Sequence, residues 1–152
     1  MSLHDLSDVT FRAATQADAT DIKSLVRSVR INPMDLDWQR FLIASSPDGT
    51  LLACGQVKPH SDGTLELASI AVRPDRRGRG LARALIERLL SDSPRPLYLT
   101  CRSGLEPLYL KFGFRSLASD ELTPYFRRIQ KLASAMMGIF RDGETLLVMK
   151  LD

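Results

Sequence analysis

Ile70-Ala71-Val72-Arg73-Pro74-Asp75-Arg76-Arg77-Gly78-Arg79-Gly80-Leu81-Ala82 reads as the end of a strand, a turn dense in glycine and arginine, and the start of a helix. A helix start offers unpaired backbone N–H groups and the positive end of the macrodipole. Gly78 and Gly80 let the main chain approach an anion without Cβ interference, and such a turn suits a pyrophosphate. The ending lacks the Gly-Lys-Ser/Thr of a P-loop, and its glycine spacing differs from the dinucleotide fingerprint. Upstream, Leu65 to Val72 is apolar apart from Glu66 and Ser69. Downstream, Leu81, Leu85 and Leu89 form one stripe until Pro94 and Pro96 stop the helix, and Leu97 to Cys101 is again strand-like. Strand, loop, helix and strand in this order predict a right-handed parallel crossover.

The rest of the chain extends the pattern. Val9 to Ala13 alternates as a first strand, and Thr15 with Asp18 opens a helix carrying Ala19, Ile22, Leu25, Val26 and Val29. Residues 30–39 break the periodicity at Asn32-Pro33 and hold Asp35, Asp37 and Trp38. Phe41 to Ser45, the turn Pro47-Asp48-Gly49, Leu51 to Lys58 and the turn Ser61-Asp62-Gly63 make a meander. Ser103 with Glu106 reads as a capping box for a helix with Leu105, Leu108, Tyr109 and Phe112, ended by Gly113. Phe114 starts a strand, Thr123-Pro124 opens an amphipathic helix, and Leu146 to Leu151 closes the chain as a strand. Helices and strands alternating in this way predict an α/β domain on a mixed sheet.

Composition narrows the classes. At 152 residues, 44% apolar and 26% charged, the chain has the make-up of one globular domain that needs no metal or disulfide to hold its core. Cys54 and Cys101 lie in apolar runs without metal-ligand spacing and read as reduced core thiols of a cytoplasmic protein. No apolar run spans a bilayer, the N-terminus has no signal-like core, and a net charge of +3 is too small to argue for nucleic acid. The positive charge is instead local: Arg73, Arg76, Arg77, Arg79 and Arg83 share one stretch, an anion-binding feature.

Arg77-x-x-Gly80-x-Ala82 after a strand ending in Val72 resembles the acyl-CoA-binding motif of the GNAT superfamily of N-acetyltransferases. Leu108-Tyr109-Leu110-Lys111-Phe112-Gly113-Phe114 is similar to the Tyr-x-x-x-Gly-Phe mark that ends the family's fourth helix. The element order matches over nearly the whole chain. The resemblance implies an α/β fold with a mixed central sheet of about six to seven strands flanked by helices, its fourth and fifth strands parallel and splayed around the cofactor. It implies one N-acetyltransferase domain over 1–152, with 1–8 a disordered lead-in and 123–140 an extra helix near the acceptor side. Acetyl-CoA would be the co-substrate and a small-molecule or peptide amine the acceptor, with no metal, nucleic acid or membrane involved. Family members often dimerise, which leaves a homodimer open.

By the same resemblance, Ile70, Ala71 and Val72 would offer backbone groups to the pantetheine arm. Arg77, Gly78, Arg79, Gly80, Leu81 and Ala82 would wrap the diphosphate with main-chain amides, and Arg76 or Arg83 would meet the ribose phosphate. Each arginine is equally readable as an exposed solubility charge. Glu66, six residues before Val72, stands where many members carry a general base. The competing reading is a strand-end carboxylate facing solvent. Tyr109 corresponds to the family tyrosine that protonates the departing thiolate, with a core aromatic as the alternative. The family often has an Asn near the start of this helix, where Arg102-Ser103-Gly104 stands here. Asp35, Trp38 and Tyr125 would border the acceptor; Asp35 and Asp37 beside Trp38 also read as a helix cap and a core anchor. His60 reads as a surface histidine without chemistry. A non-catalytic acyl-CoA sensor on the same fold is the second functional reading.

Overall fold

The computed structural model describes residues 6–136 and 143–152. In chain order the elements are β1 Thr10–Ala13, α1 Ala19–Ser28, β2 Phe41–Ser45, β3 Leu51–Pro59, β4 Leu65–Val72 and α2 Leu81–Ser91. There follow β5 Leu97–Arg102, α3 Glu106–Leu110, β6 Arg115–Ser116, α4 Pro124–Met136 and β7 Leu146–Leu151. The seven strands pair in the order β1-β2-β3-β4-β5-β7-β6, a mixed sheet whose β4 and β5 run parallel. This is the α/β class expected, with the expected parallel pair flanked by helices. Among the described residues no helix is long and apolar enough to cross a membrane.

The chain divides into two compact units, residues 1–57 with 67–93 and residues 58–66 with 94–152. In the first, β1 pairs antiparallel with β2 from Thr10 opposite Ser45, and β2 pairs antiparallel with β3 from Phe41 opposite Gln56. Asp18 accepts the Thr15 N–H at 2.7 Å and the Arg12 guanidinium at 2.8 Å, so the residue that opens the helical region is also tied to β1. Ile22, Leu25 and Val26 of α1 close over Phe41, Ile43, Leu51, Cys54 and Ala71, with Trp38 and Leu36 packed at the edge. Burial at this helical spacing is why an amphipathic stripe becomes one face of a core.

Gly55 lets α2 approach the sheet. A Cβ added there would lie 2.6 Å from Ile70 Cδ1, 3.0 Å from Leu89 Cδ1 and 3.2 Å from Leu85 Cδ2. Leu85 and Leu89 are both buried and cannot swing into solvent. Over-packing costs about 1–3 kcal/mol, and a stiffer unfolded chain returns about 0.4–1 kcal/mol. Gly55→Ala is therefore expected to lose roughly 1–2 kcal/mol net, read as a lower midpoint in urea unfolding. A midpoint equal to wild type would show that α2 has room to retreat.

In the second unit, β5 pairs antiparallel with β7 from Leu97 opposite Leu151, and β6 adds to β7 with Arg115 opposite Lys150. Glu66 of β4 stands opposite Tyr98 of β5. Phe126 of α4 is fully buried against Tyr98, Leu122 and Val148. The expected helix over 123–140 is present as Pro124–Met136; its last residues, like residues 1–5 of the lead-in, lie outside the described residues. The capping box expected from Ser103 and Glu106 does not form. The Ser103 hydroxyl instead accepts the Thr145 N–H at 3.1 Å, and Glu106 takes the Ser116 hydroxyl as its partner. Both groups found tertiary partners that outcompete a local cap.

Candidate active site

β4 leads directly into the glycine–arginine loop. Arg73 N–H donates to the Leu52 carbonyl at 2.9 Å, which ties the end of β4 to β3, and Pro74–Arg76 forms one 3-10 turn. Arg77 returns to extended backbone; Gly78 and Gly80 then adopt φ of +74° and +82°. This is the left-handed region that costs side-chain-bearing residues strain. A Cβ at either glycine would meet nothing within 4 Å, so the chain turns through them past open space. Gly80 is the residue before α2, and no side chain caps the helix. Its first backbone hydrogen bond runs from Ala84 N–H to the Gly80 carbonyl at 3.0 Å. Leu81, Ala82 and Arg83 have no backbone acceptor among the described residues, as the start of a helix dictates.

Arg77 and Arg79 are exposed, and among the described residues no carboxylate pairs with either or with Arg76. Arg83 pairs with Glu87 at 3.0 Å. Unpaired amides, two open left-handed glycines and uncommitted guanidinium groups are what a diphosphate requires, so the residues present fit a coenzyme A diphosphate. Ile70 and Val72 are half-buried and Ala71 is buried in the first unit's core.

The interior of β4 is irregular. Ser69 has φ of +59°, an uncommon value for a residue with a side chain, and burial along the strand loses its alternation there. Gln56 from β3, fully buried, explains how it is held. Its Nε2 donates to Ser69 Oγ at 2.9 Å and to the Asp35 carbonyl at 3.2 Å. Since a carbonyl can only accept, the amide orientation is unambiguous. Asp35 also has a left-handed backbone, φ +57°, and its carboxylate pairs with Arg40 at 3.1 Å. Asp37 caps the following 3-10 turn by accepting Gln39 N–H at 3.0 Å, while Trp38 packs on the first unit's core.

In the second unit Glu66 is buried, not a strand-end carboxylate facing water. His60 Nε2 lies 2.7 Å from Glu66 Oε1, and the two side chains are only 7% and 9% exposed. His60 is therefore not a surface histidine. Its ring stacks on Tyr125 with centroids 3.5 Å apart and planes 14° from parallel, and meets Phe126 edge-on at 5.8 Å. The β3–β4 hairpin makes the juxtaposition: His60 N–H donates to the Thr64 carbonyl at 2.9 Å, which sets residue 60 diagonally across from residue 66. The closing turn then anchors α4. Asp62 accepts from Thr64 N–H and from Tyr125 N–H, both at 3.0 Å. Burial pushes the Asp62 carboxyl up, but the hydrogen bonds from Thr64 and the Tyr125 amide outweigh it and hold the group at about 2.

Tyr109 of α3 is buried, with its ring edge-on to Phe114 at 6.1 Å. Gly113, at φ +95°, reverses the chain so that Phe114 N–H reaches the Tyr109 carbonyl at 3.2 Å. Burial first, and Cys101 second, push the Tyr109 phenol up to about 12. At neutral pH it keeps its proton and can act as a donor. The structure thus brings Glu66 and Tyr125 together around His60, places Asp35 and Trp38 with Gln56 in the other unit, and gives Tyr109 its own aromatic partner.

A family model described as an acetyltransferase (GNAT) domain matches residues 37–116, just over half of the 152-residue chain. The chain belongs to the GNAT acetyltransferase family. The matched stretch of this GNAT domain holds the glycine–arginine loop, His60, Glu66 and Tyr109, and ends before α4. Among solved structures, N-acetylglutamate synthase from Neisseria gonorrhoeae, complexed with coenzyme A and N-acetyl-glutamate, has a TM-score of 0.72 at 20% identity over 95% of this chain. The GNAT chain spans only 35% of that synthase. Rv2747 from Mycobacterium tuberculosis, in complex with CoA and NLQ, gives 0.72 at 20% identity over 93% of this chain and 98% of its own. The ribosomal-protein-S18-alanine N-acetyltransferase from Escherichia coli gives 0.67 at 20% identity over 94% and 92%. At these identities the likeness is one of fold. A search of curated protein sequences returns no match.

Proposed function

We propose that this GNAT chain moves the acetyl group of acetyl-CoA onto a primary amine by direct attack in a ternary complex. The observation that carries this is the loop of residues 77–82: two left-handed glycines facing open space, ahead of a helix whose first amides lack acceptors, inside the stretch the family model matches. Main-chain amides of Arg77 to Ala82 hold the diphosphate, and Ile70, Ala71 and Val72 present their backbone to the pantetheine arm. Acetyl-CoA supplies an activated thioester carbonyl. Glu66 accepts the proton that the acceptor ammonium must lose before its nitrogen can attack. Tyr109, protonated at neutral pH, returns a proton to the thiolate that departs.

Tyr125 borders the acceptor through its contact with the ring that holds Glu66. Two of the similar structures hold coenzyme A, one with N-acetyl-glutamate, and a third is an alanine N-acetyltransferase. An amino acid or peptide α-amine is accordingly the acceptor class to test first. We place this work in the cytoplasm, where the buried thiols Cys54 and Cys101 stay reduced.

Calorimetry with coenzyme A and acetyl-CoA tests the cofactor, and release of free thiol across L-glutamate, L-arginine, spermidine and an alanyl peptide tests the transfer. Heat of binding with both thioester and thiol forms, and turnover on at least one amine, is the expected result. Binding without turnover on any amine would favour the sensor reading; no heat with either ligand would remove both.

A further inference from the structure

Glu66 presents two oxygens, and only one of them is engaged. Oε1 takes the contact with His60 Nε2 at 2.7 Å, while Oε2 has no partner among the described residues. With Glu66 ionised, as its reading as the base requires, the carboxylate oxygen accepts and the hydrogen in this contact belongs to Nε2. The imidazole is itself clamped. The Tyr125 ring covers one face at 3.5 Å, the Phe126 edge closes on it at 5.8 Å, and Phe126 stacks in turn on Tyr98, which stands opposite Glu66. The clamp is fastened by Asp62, which accepts the Tyr125 amide hydrogen at 3.0 Å and is bonded to Thr64 at the foot of the same hairpin. Three residues of one hairpin, His60, Asp62 and Glu66, thereby set ring, clamp and carboxylate.

We propose that His60 is a positioning residue for the acetyl transfer: its Nε2–H pins Glu66 Oε1, so that Oε2 alone faces the acceptor amine. The inference rests on the reading of Glu66 as the base. A buried carboxylate must be hydrogen-bonded to remain ionised, yet it must leave one oxygen uncommitted to take a proton. A single directional donor on a ring that cannot rotate meets both demands. A freely rotating carboxylate would spend much of its time with neither oxygen aligned, and misalignment by about 1 Å can cost on the order of 10²-fold in rate.

The test uses His60→Gln, whose amide nitrogen reaches where Nε2 stands, His60→Asn, which is too short, and His60→Phe, which keeps the stack but has no donor. With acetyl-CoA and the acceptor probes named above, His60→Asn and His60→Phe should each lower kcat by about 10–100-fold. KM for the amine and the calorimetric Kd for coenzyme A should stay within about twofold of wild type, and His60→Gln should recover most of the loss. Independently of any acceptor, histidine-selective 15N NMR reads the bond itself. The chain has two histidines, His4 and His60, so assignment is direct. The His60 Nε2 proton should resonate downfield, and should move upfield and exchange faster in Glu66→Gln, because the bond loses its charge assistance. An Nε2 signal identical in wild type and Glu66→Gln overturns the proposal. So does wild-type kcat in His60→Phe alongside an inactive Glu66→Gln, which would leave the base reading intact. Turnover in Glu66→Gln that matches wild type near neutral pH overturns the base reading and this inference with it.

Discussion

Glu66→Gln is expected to lower kcat/KM near neutral pH by about 10²–10⁴-fold, the range that a positioned general base supplies. The substitution conserves shape, and its amide can still meet His60, so neither the β3–β4 hairpin nor the β4–β5 pair should be disturbed. Coenzyme A affinity should not change, since no atom of the 77–82 loop is altered. The deficit should narrow as pH rises. An amine that must otherwise hand its proton to Glu66 is delivered already deprotonated once the solution passes its own ionisation, about 7.7–8 for the α-amine of a peptide. Thiol release followed from mildly acid to alkaline pH checks both the size and the slope. A constant ratio between variant and wild type at every pH would show that Glu66 does something other than accept this proton.

A second large effect is expected at the loop. Gly80→Val should weaken binding of coenzyme A at least tenfold, a shift of about 1.4 kcal/mol or more. Two causes act together. A β-branched residue at φ +82° pays left-handed strain of about 1–2 kcal/mol, and it relaxes by turning the following amides away from their present direction. Its side chain would also occupy the open space beside Gly80 through which the diphosphate would approach. Gly143→Val is the control. Gly143 also has a left-handed backbone, φ +80°, with nothing within 4 Å of an added Cβ, but it lies in the loop before β7. Both variants should lose similar stability on thermal unfolding, and only Gly80→Val should lose coenzyme A in calorimetry. Equal losses of affinity would mean that strain alone, and not the cradle, is being measured.

Local signals carried much of the architecture. The change of period across Val72 to Leu81, the Thr15–Asp18 start and the Thr123-Pro124 start depend on residues within one turn of each other, and the structure puts elements at each. Signals that depend on distant partners were not legible. Ser103 and Glu106 have the spacing of a capping box, yet Thr145 and Ser116 offer them better bonds. Nothing in the identity of Ser69 announces a left-handed backbone, and the Gln56 side chain that meets its hydroxyl comes from the neighbouring strand. His60 reads as exposed in the sequence because its burial depends on Tyr125 and Phe126, more than sixty residues away. The hairpin closing at Ser61-Asp62-Gly63 did contain a clue: a histidine and a glutamate set on a diagonal across two strands are within side-chain reach.

The Gln56 amide has only two hydrogens, and both are spent, one on the loop at Asp35 and one on the kink at Ser69. Neither segment can shift without stripping a bond from a nitrogen sealed off from water, a loss of about 1–3 kcal/mol. The two unusual backbone conformations are therefore thermodynamically linked. Anything that displaces the segment ahead of β2 is felt at the centre of β4, and whatever straightens β4 is felt in that segment, by the same amount in each direction.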